Sequence, residues 1–201
     1  MIKIVLTVIL CLISATIACA GGACDQQGAA AFTDNALKPA LENVMATHKQ
    51  KNLAAGEKQK IYDEIISPFF DHSITARLTL GKQQWETLTT DQQARFIHLF
   101  GKRLQNFYLQ RMLLLYPDTE ILFKDTLQEK NKAVVNTELK SSRLKTNRKV
   151  QYKIAHDDRG WKIYDIDING VSILKNFQAQ FKHFLGKHTV QDLLQELERP
   201  E

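Results

Sequence analysis

The stretch GWKIYDIDI-NG-VSIL, Gly160 to Leu174, restricts the fold of this chain more than any other. Alternation through Trp161, Lys162, Ile163, Tyr164, Asp165, Ile166, Asp167 and Ile168 has the period of a strand with two different faces. One face carries Tyr164, Ile166 and Ile168; the other carries Trp161, Ile163 and the two aspartates. A turn at Asn169-Gly170 follows, and then at once an apolar segment with Val171, Ile173, Leu174, Phe177 and Phe181. An apolar sheet face needs a cover, and here that cover is either an ordinary core or a ligand.

Three more runs share this period. TEILFKDTL, KAVVNTELKS and RKVQYKIAHDD are rich in β-branched and aromatic residues, with polar breaks at residues 129–131, 143–147 and 157–160. Four sequential strands with short connections predict an antiparallel meander. Helical patterns before and after it make the class α+β. The inner faces are expected to be Val135, Thr137 and Leu139, then Val150, Tyr152 and Ile154, then Tyr164, Ile166 and Ile168, with Lys149, Gln151 and Lys153 outward.

The helical patterns are themselves apolar-rich. Leu37, Leu41, Val44 and Met45 share one face over residues 35–51, and Ile61, Ile65 and Ile66 share another before Pro68 breaks the period. Thr89 as N-cap with Gln92 three residues on forms a capping box, and Asp91 complements the helix dipole. The helix it opens has two stripes, Phe96, Phe100, Leu104 and Phe107 beside Ile97, Tyr108, Met112 and Leu115, ending at Tyr116-Pro117-Asp118. That is more apolar surface than a one-sided helix needs. A closing helix places Phe177, Phe181 and Phe184 inward and stops at Gly186, followed by a short one around Val190, Leu193, Leu194 and Leu197.

The N-terminal residues have the layout of a secretory signal peptide: Lys3, an apolar run from Ile4 to Ile17, and Ala18-Cys19-Ala20 before a cut after Ala20. The expected organisation is a signal peptide over residues 1–20 and one domain over 21–201. Acylation at Cys19 after TIAC is the alternative processing, with Cys24 a weaker candidate. Cleavage after Ala20 leaves Cys24 as the single thiol, so no internal disulfide could support the domain. Without Lys3, 26 basic residues face 22 acidic ones, a net charge of +4, spread along the chain in a way that suits an anionic head group better than nucleic acid.

Catalytic patterns are sparse. Asp165 and Asp167 lie two apart on a strand and could form an acid/base pair, but a solvated pair beside neighbouring lysines is the expected reading. The histidines show no close metal-ligand spacing; His183 and His188 are five apart and share no helix face. No G-x-S-x-G, P-loop or G-x-G-x-x-G occurs. Periodicity alone allows a closed core or a cavity left open for an apolar ligand.

Three stretches together resemble the MlaC family, the toluene-tolerance phospholipid-binding proteins of the Gram-negative periplasm. In the first, Phe70-Asp71, Ala76-Arg77, Leu80-Gly81, Trp85, Thr89, Gln92, Arg95-Phe96 and Phe100 stand at the family's places. The second is Trp161 to Ser172, similar to Trp-x-x-x-Asp-x-x-x-x-Gly-Val-Ser, and the third is Phe177 to Phe181. Thr90 replaces a proline common at the first helical position, and Gln178 stands where an arginine is usual.

The resemblance implies a four-stranded antiparallel sheet curled against several helices, with an apolar cavity between them that takes acyl chains while the head group faces water. Its implied partners are phospholipid, an inner-membrane MCE-domain protein with an ABC transporter, and an outer-membrane lipoprotein–porin complex. The implied role is a periplasmic shuttle, a monomer with no catalytic activity, no metal and no cofactor, which carries lipid to maintain outer-membrane asymmetry. Combined with the alternation, it assigns Val135, Leu139, Tyr152, Ile154, Tyr164 and Ile166 to the cavity, joined by Phe107, Val171, Leu174 and Phe181 from helices. The alternatives are a small-molecule enzyme using Asp165 and Asp167, and a closed-core domain that binds a partner.

Overall fold

The computed structural model describes residues 28–50, 55–113 and 118–199. The signal segment, Cys19, Cys24, Leu115, Tyr116 and Pro117 lie outside the described residues. Strands β1 (Glu120–Glu129), β2 (Lys132–Lys140), β3 (Arg148–Asp157) and β4 (Gly160–Ile168) form an antiparallel sheet in chain order, a meander as the sequence predicts. The sheet has five strands and not four. Asn169 and Gly170, both at positive φ (53° and 85°), reverse the chain so tightly that β5 (Val171–Ser172) pairs with Asp167 and Ile168. This is the backbone requirement that Asn-Gly meets with least strain.

A bulge in β4 overturns the simple alternation. Lys153 pairs with Asp165, but the next residue, Ile154, pairs with Ile163, which leaves Tyr164 as an extra residue on β4. The insertion shifts the side-chain phase by one. Trp161 and Ile163 therefore share the inner face with Ile166 and Ile168, whereas the sequence reading gave them to the opposite one. A second bulge in β1 comes between Phe123 and Thr126.

Helix α1 (Gly28–Phe32) runs through a π-helical turn (Thr33–Leu37) into α2 (Lys38–Gln50), so this helix begins before the expected Asn35. Its start is fixed by contact with β4: a Cβ on Gly28 would lie 2.8 Å from Trp161 Nε1. Helix α3 (Ala55–Ile61) likewise passes through a π-helical turn (Tyr62–Ile66) and a 3-10 turn (Ser67–Phe69) at Pro68. Helices α4 (His72–Leu80) and α5 (Lys82–Glu86) meet at Gly81, whose φ of 84° suits glycine. Helix α6 (Thr90–Leu113) has the expected capping box, with Gln92 N donating to Thr89 Oγ1 and Thr89 N donating to Gln92 Oε1. Helix α7 (Ile173–Leu185) is capped by Ser172, and α8 (Val190–Glu198) by a capping box of Thr189 and Asp192.

The motif residues hold these joints. Asp71 N donates to Ile163 O (2.9 Å), its carboxylate accepts from Ile74 N (2.8 Å) to cap α4, and the Arg159 guanidinium closes on the same carboxylate. Arg95 ties α6 to Glu198 of α8.

Between α6 and α7 the aromatic stripes interlock. Phe100, fully buried, meets Phe177 and Phe181 edge-on with ring centroids 5.3 Å apart, and Phe96 packs edge-on against Phe181 at 5.8 Å. Edge-to-face contact places the electropositive ring edge on the electronegative face. Phe100→Ala would leave a ring-sized void between the helices and is expected to lower unfolding free energy by about 3–5 kcal/mol, read from urea denaturation.

Candidate functional site

An apolar pocket of about 320 Å³ lies between the inner face of the sheet and the helices. The helix from residue 28 to 50 contributes Leu37, Leu41, Val44 and Met45, the face that the sequence showed as amphipathic. Ile66, Phe69 and Phe70 come from the turns around Pro68, and Phe107 from α6. The sheet supplies Ile121, Leu139, Arg148, Val150, Tyr152, Ile163, Ile166 and Ile168, and the β5–α7 corner supplies Val171, Ile173 and Asn176. Val171, 60% exposed, marks a rim open to water.

Of the ten expected cavity residues, Phe107, Leu139, Tyr152, Ile166 and Val171 line this pocket. The other five do not. Val135 and Ile154 share the correct sheet face but are buried at 1% and 0%, toward the end that α1 covers by packing on β1 and β4. Tyr164 is the bulge residue, and Ile163 takes the place that alternation gave it. Phe181 belongs to the aromatic cluster with Phe96, Phe100 and Phe177. Leu174 lies beside Ile173, and the first turn of α7 presents Ile173 and Asn176 to the pocket instead. Alternation continues the Val150, Tyr152 and Ile154 face back to Arg148, but the apolar pattern that marks the wall stops at Val150, and Asn176 joins the lining only because of where α7 begins.

Tyr152 is buried in this wall, and burial pushes its phenol pKa up to about 12. Below pH 10 the phenol is neutral in both folded and unfolded chains, so its stabilising contribution is complete. Between about pH 10 and 12 the unfolded chain releases the proton while the folded one holds it, so folding stability falls as pH rises through that window. Urea midpoints measured from pH 9 to pH 12 should drop steeply in this way, and Tyr152→Phe should flatten the part of the drop that this residue causes.

The wall at Phe70 is backed by His72, whose ring stacks on it with centroids 6.1 Å apart and whose Nε2 faces Ser67 Oγ at 3.3 Å. Burial lowers the pKa of this histidine and favours the neutral ring.

The two aspartates of β4 are not the solvated pair expected from sequence. Asp165 is 4% exposed and Asp167 9%. The Asp165 carboxylate accepts from Lys153 Nζ (2.8 Å), Ser172 Oγ (2.7 Å) and Leu174 N (3.0 Å), joining β3, β5 and the start of α7. Lys153, expected to stay in water, is one arm of this joint. The contacts occupy Asp165 structurally and aim it at no open space. Among the described residues, no group of three or more His, Cys, Asp or Glu side chains could hold a metal, and no helix is long and apolar enough to cross a membrane.

These features define an α+β domain with an apolar pocket between its antiparallel sheet and its helices. A model of the MlaC protein family matches residues 38–199, and the chain belongs to that family. Membership points to a binding or transport protein rather than an enzyme. The fold is similar to that of the phospholipid-binding protein from Ralstonia solanacearum, solved in complex with a phospholipid, with a TM-score of 0.71 and 22% identity over 81% of this chain and 92% of that one. None of the curated proteins compared matches it.

Proposed function

We propose that the protein binds phospholipid through its acyl chains in the pocket between α2 and the sheet, and carries it across the periplasm. The observation that carries this reading is the lining itself: side chains from four helical segments and all five strands converge on one apolar space that opens at Val171. Family membership and the fold shared with a phospholipid-bound protein support it. The signal-like residues 1–20 support export. The transfer partners that fit are an outer-membrane lipoprotein–porin complex and an inner-membrane MCE-domain ABC transporter, with this chain moving between them to maintain lipid asymmetry.

The energetics suit a carrier. Burying a methylene gains about 0.8 kcal/mol relative to water, but almost nothing relative to a bilayer that buries it equally. Exchange with a membrane is therefore near balance, and direction must come from partner docking or ATP use elsewhere. Native mass spectrometry of the protein purified from cells tests the reading. Bound phospholipid is the expected result. Folded protein that arrives lipid-free and stays so after incubation with phospholipid vesicles would overturn it.

A further inference from the structure

We infer that Arg148 is the anion contact of this pocket and takes the phosphate of a bound glycerophospholipid, with the Asn176 amide as a second donor. This deepens the phospholipid reading and rests on it. Among the described residues, Arg148 is the single charged side chain in an otherwise apolar lining that only Tyr152 and Asn176 interrupt with polar atoms. It starts β3 directly opposite Leu139, another lining residue, and is half-buried.

The Arg148 guanidinium has no hydrogen bond or ion pair within the described residues. By contrast, Arg95 and Arg159 are both held by carboxylates. Glu138, next to Leu139 on β2, is engaged by Lys124 at 3.4 Å and by Asn147 at 3.3 Å, and Asp118 by Ser141 and Ser142. The connection from Lys140 to Lys149 adds Arg143 and Lys145 and contains no carboxylate, so charge that is spread in the rest of the chain is concentrated here. Asn176 Oδ1 accepts from Gln180, which leaves its amide N–H groups to donate.

An arginine fork set at one end of an apolar space matches an amphiphile with a phosphate at one end. Planar guanidinium donors pair with two phosphate oxygens at once, which a lysine cannot do. Acyl chains would lie along the apolar walls and the phosphodiester at the Arg148 end. A fatty-acid carboxylate offers a related anion, so the test includes one.

The delipidated full chain, as wild type, Arg148→Gln and Arg148→Lys, is loaded from equimolar phosphatidylglycerol and diacylglycerol with identical chains, and in a separate arm from phosphatidylglycerol and the free fatty acid. Native mass spectrometry reads which lipid is bound, and circular dichroism confirms folding. Wild type is expected to prefer phosphatidylglycerol over diacylglycerol by about tenfold or more. Arg148→Gln should lose most of that preference while still loading diacylglycerol, and Arg148→Lys should fall between. Retained preference in Arg148→Gln would overturn the assignment, as would a wild type that does not discriminate or that favours the fatty acid. A wild type that loads none of these lipids would overturn the phospholipid reading itself.

Discussion

Ile166→Asp should empty the pocket, with lipid occupancy falling by about a hundredfold or more, while Tyr164→Ser should leave it unchanged. Ile166 lines the pocket opposite Tyr152 in the β-ladder, so a carboxylate there would face acyl chains with no cation beside it. An unpaired charge in such surroundings costs several kcal/mol, well beyond what near-balanced exchange with a membrane absorbs. Tyr164 carries the opposite expectation because the β4 bulge turns it out of the lining. Ile168, half-buried on the same wall, supplies a second variant if Ile166→Asp does not fold. Occupancy is read by native mass spectrometry on protein shown by circular dichroism to be folded. Equal losses at Tyr164 and Ile166 would mean that the ligand meets the face simple alternation predicts, without the bulge.

A loss of stability as large as that at Phe100 is expected at Asp165. Replacing it with alanine would remove the acceptor for Lys153, Ser172 and the Leu174 amide together, leaving a half-buried ammonium and a helix start without partners. Loss of one member of such a buried pair costs about 3–5 kcal/mol, which the urea midpoint would register. Asp167→Ala should cost much less, since no hydrogen bond or ion pair holds its carboxylate among the described residues. Similar losses at the two positions would argue against Asp165 as the joint between sheet and α7. The contrast also separates the binding reading from an enzyme built on the Asp165 and Asp167 pair, in which both carboxylates would be needed for activity while neither need dominate stability.

The motif residues that tie this chain to its family act mainly on architecture. Asp71 caps α4 and meets Arg159, Thr89 and Gln92 start α6, and Gly170 with Ser172 builds the reversal into α7. Among the motif residues, Phe70 and Val171 also reach the pocket. The wall itself comes largely from ordinary aliphatic residues, which carry no motif because many apolar side chains of similar size make an equally good wall for acyl chains.

Local chemistry was enough to read much of this from sequence. The turn at Asn169-Gly170, the capping box at Thr89 and the period-two strands each follow from neighbours within a few residues, so the class and the order of the four long strands were legible, whereas the two-residue β5 was not. The amphipathic face of Leu37, Leu41, Val44 and Met45 was legible too, but not what it covers. Three things were decided only by tertiary packing. The bulge exchanged Tyr164 for Ile163, and nothing in an alternating sequence marks where one residue is inserted, because register belongs to the pair of strands and not to either one. The division of one continuous apolar face into closed core at Val135 and Ile154 and pocket at Val150 and Tyr152 depends on where α1 ends its cover. Asp165 became a buried joint because the chain after Gly170 returns across it with Ser172 and the Leu174 amide, groups that reach its carboxylate only once the sheet has formed.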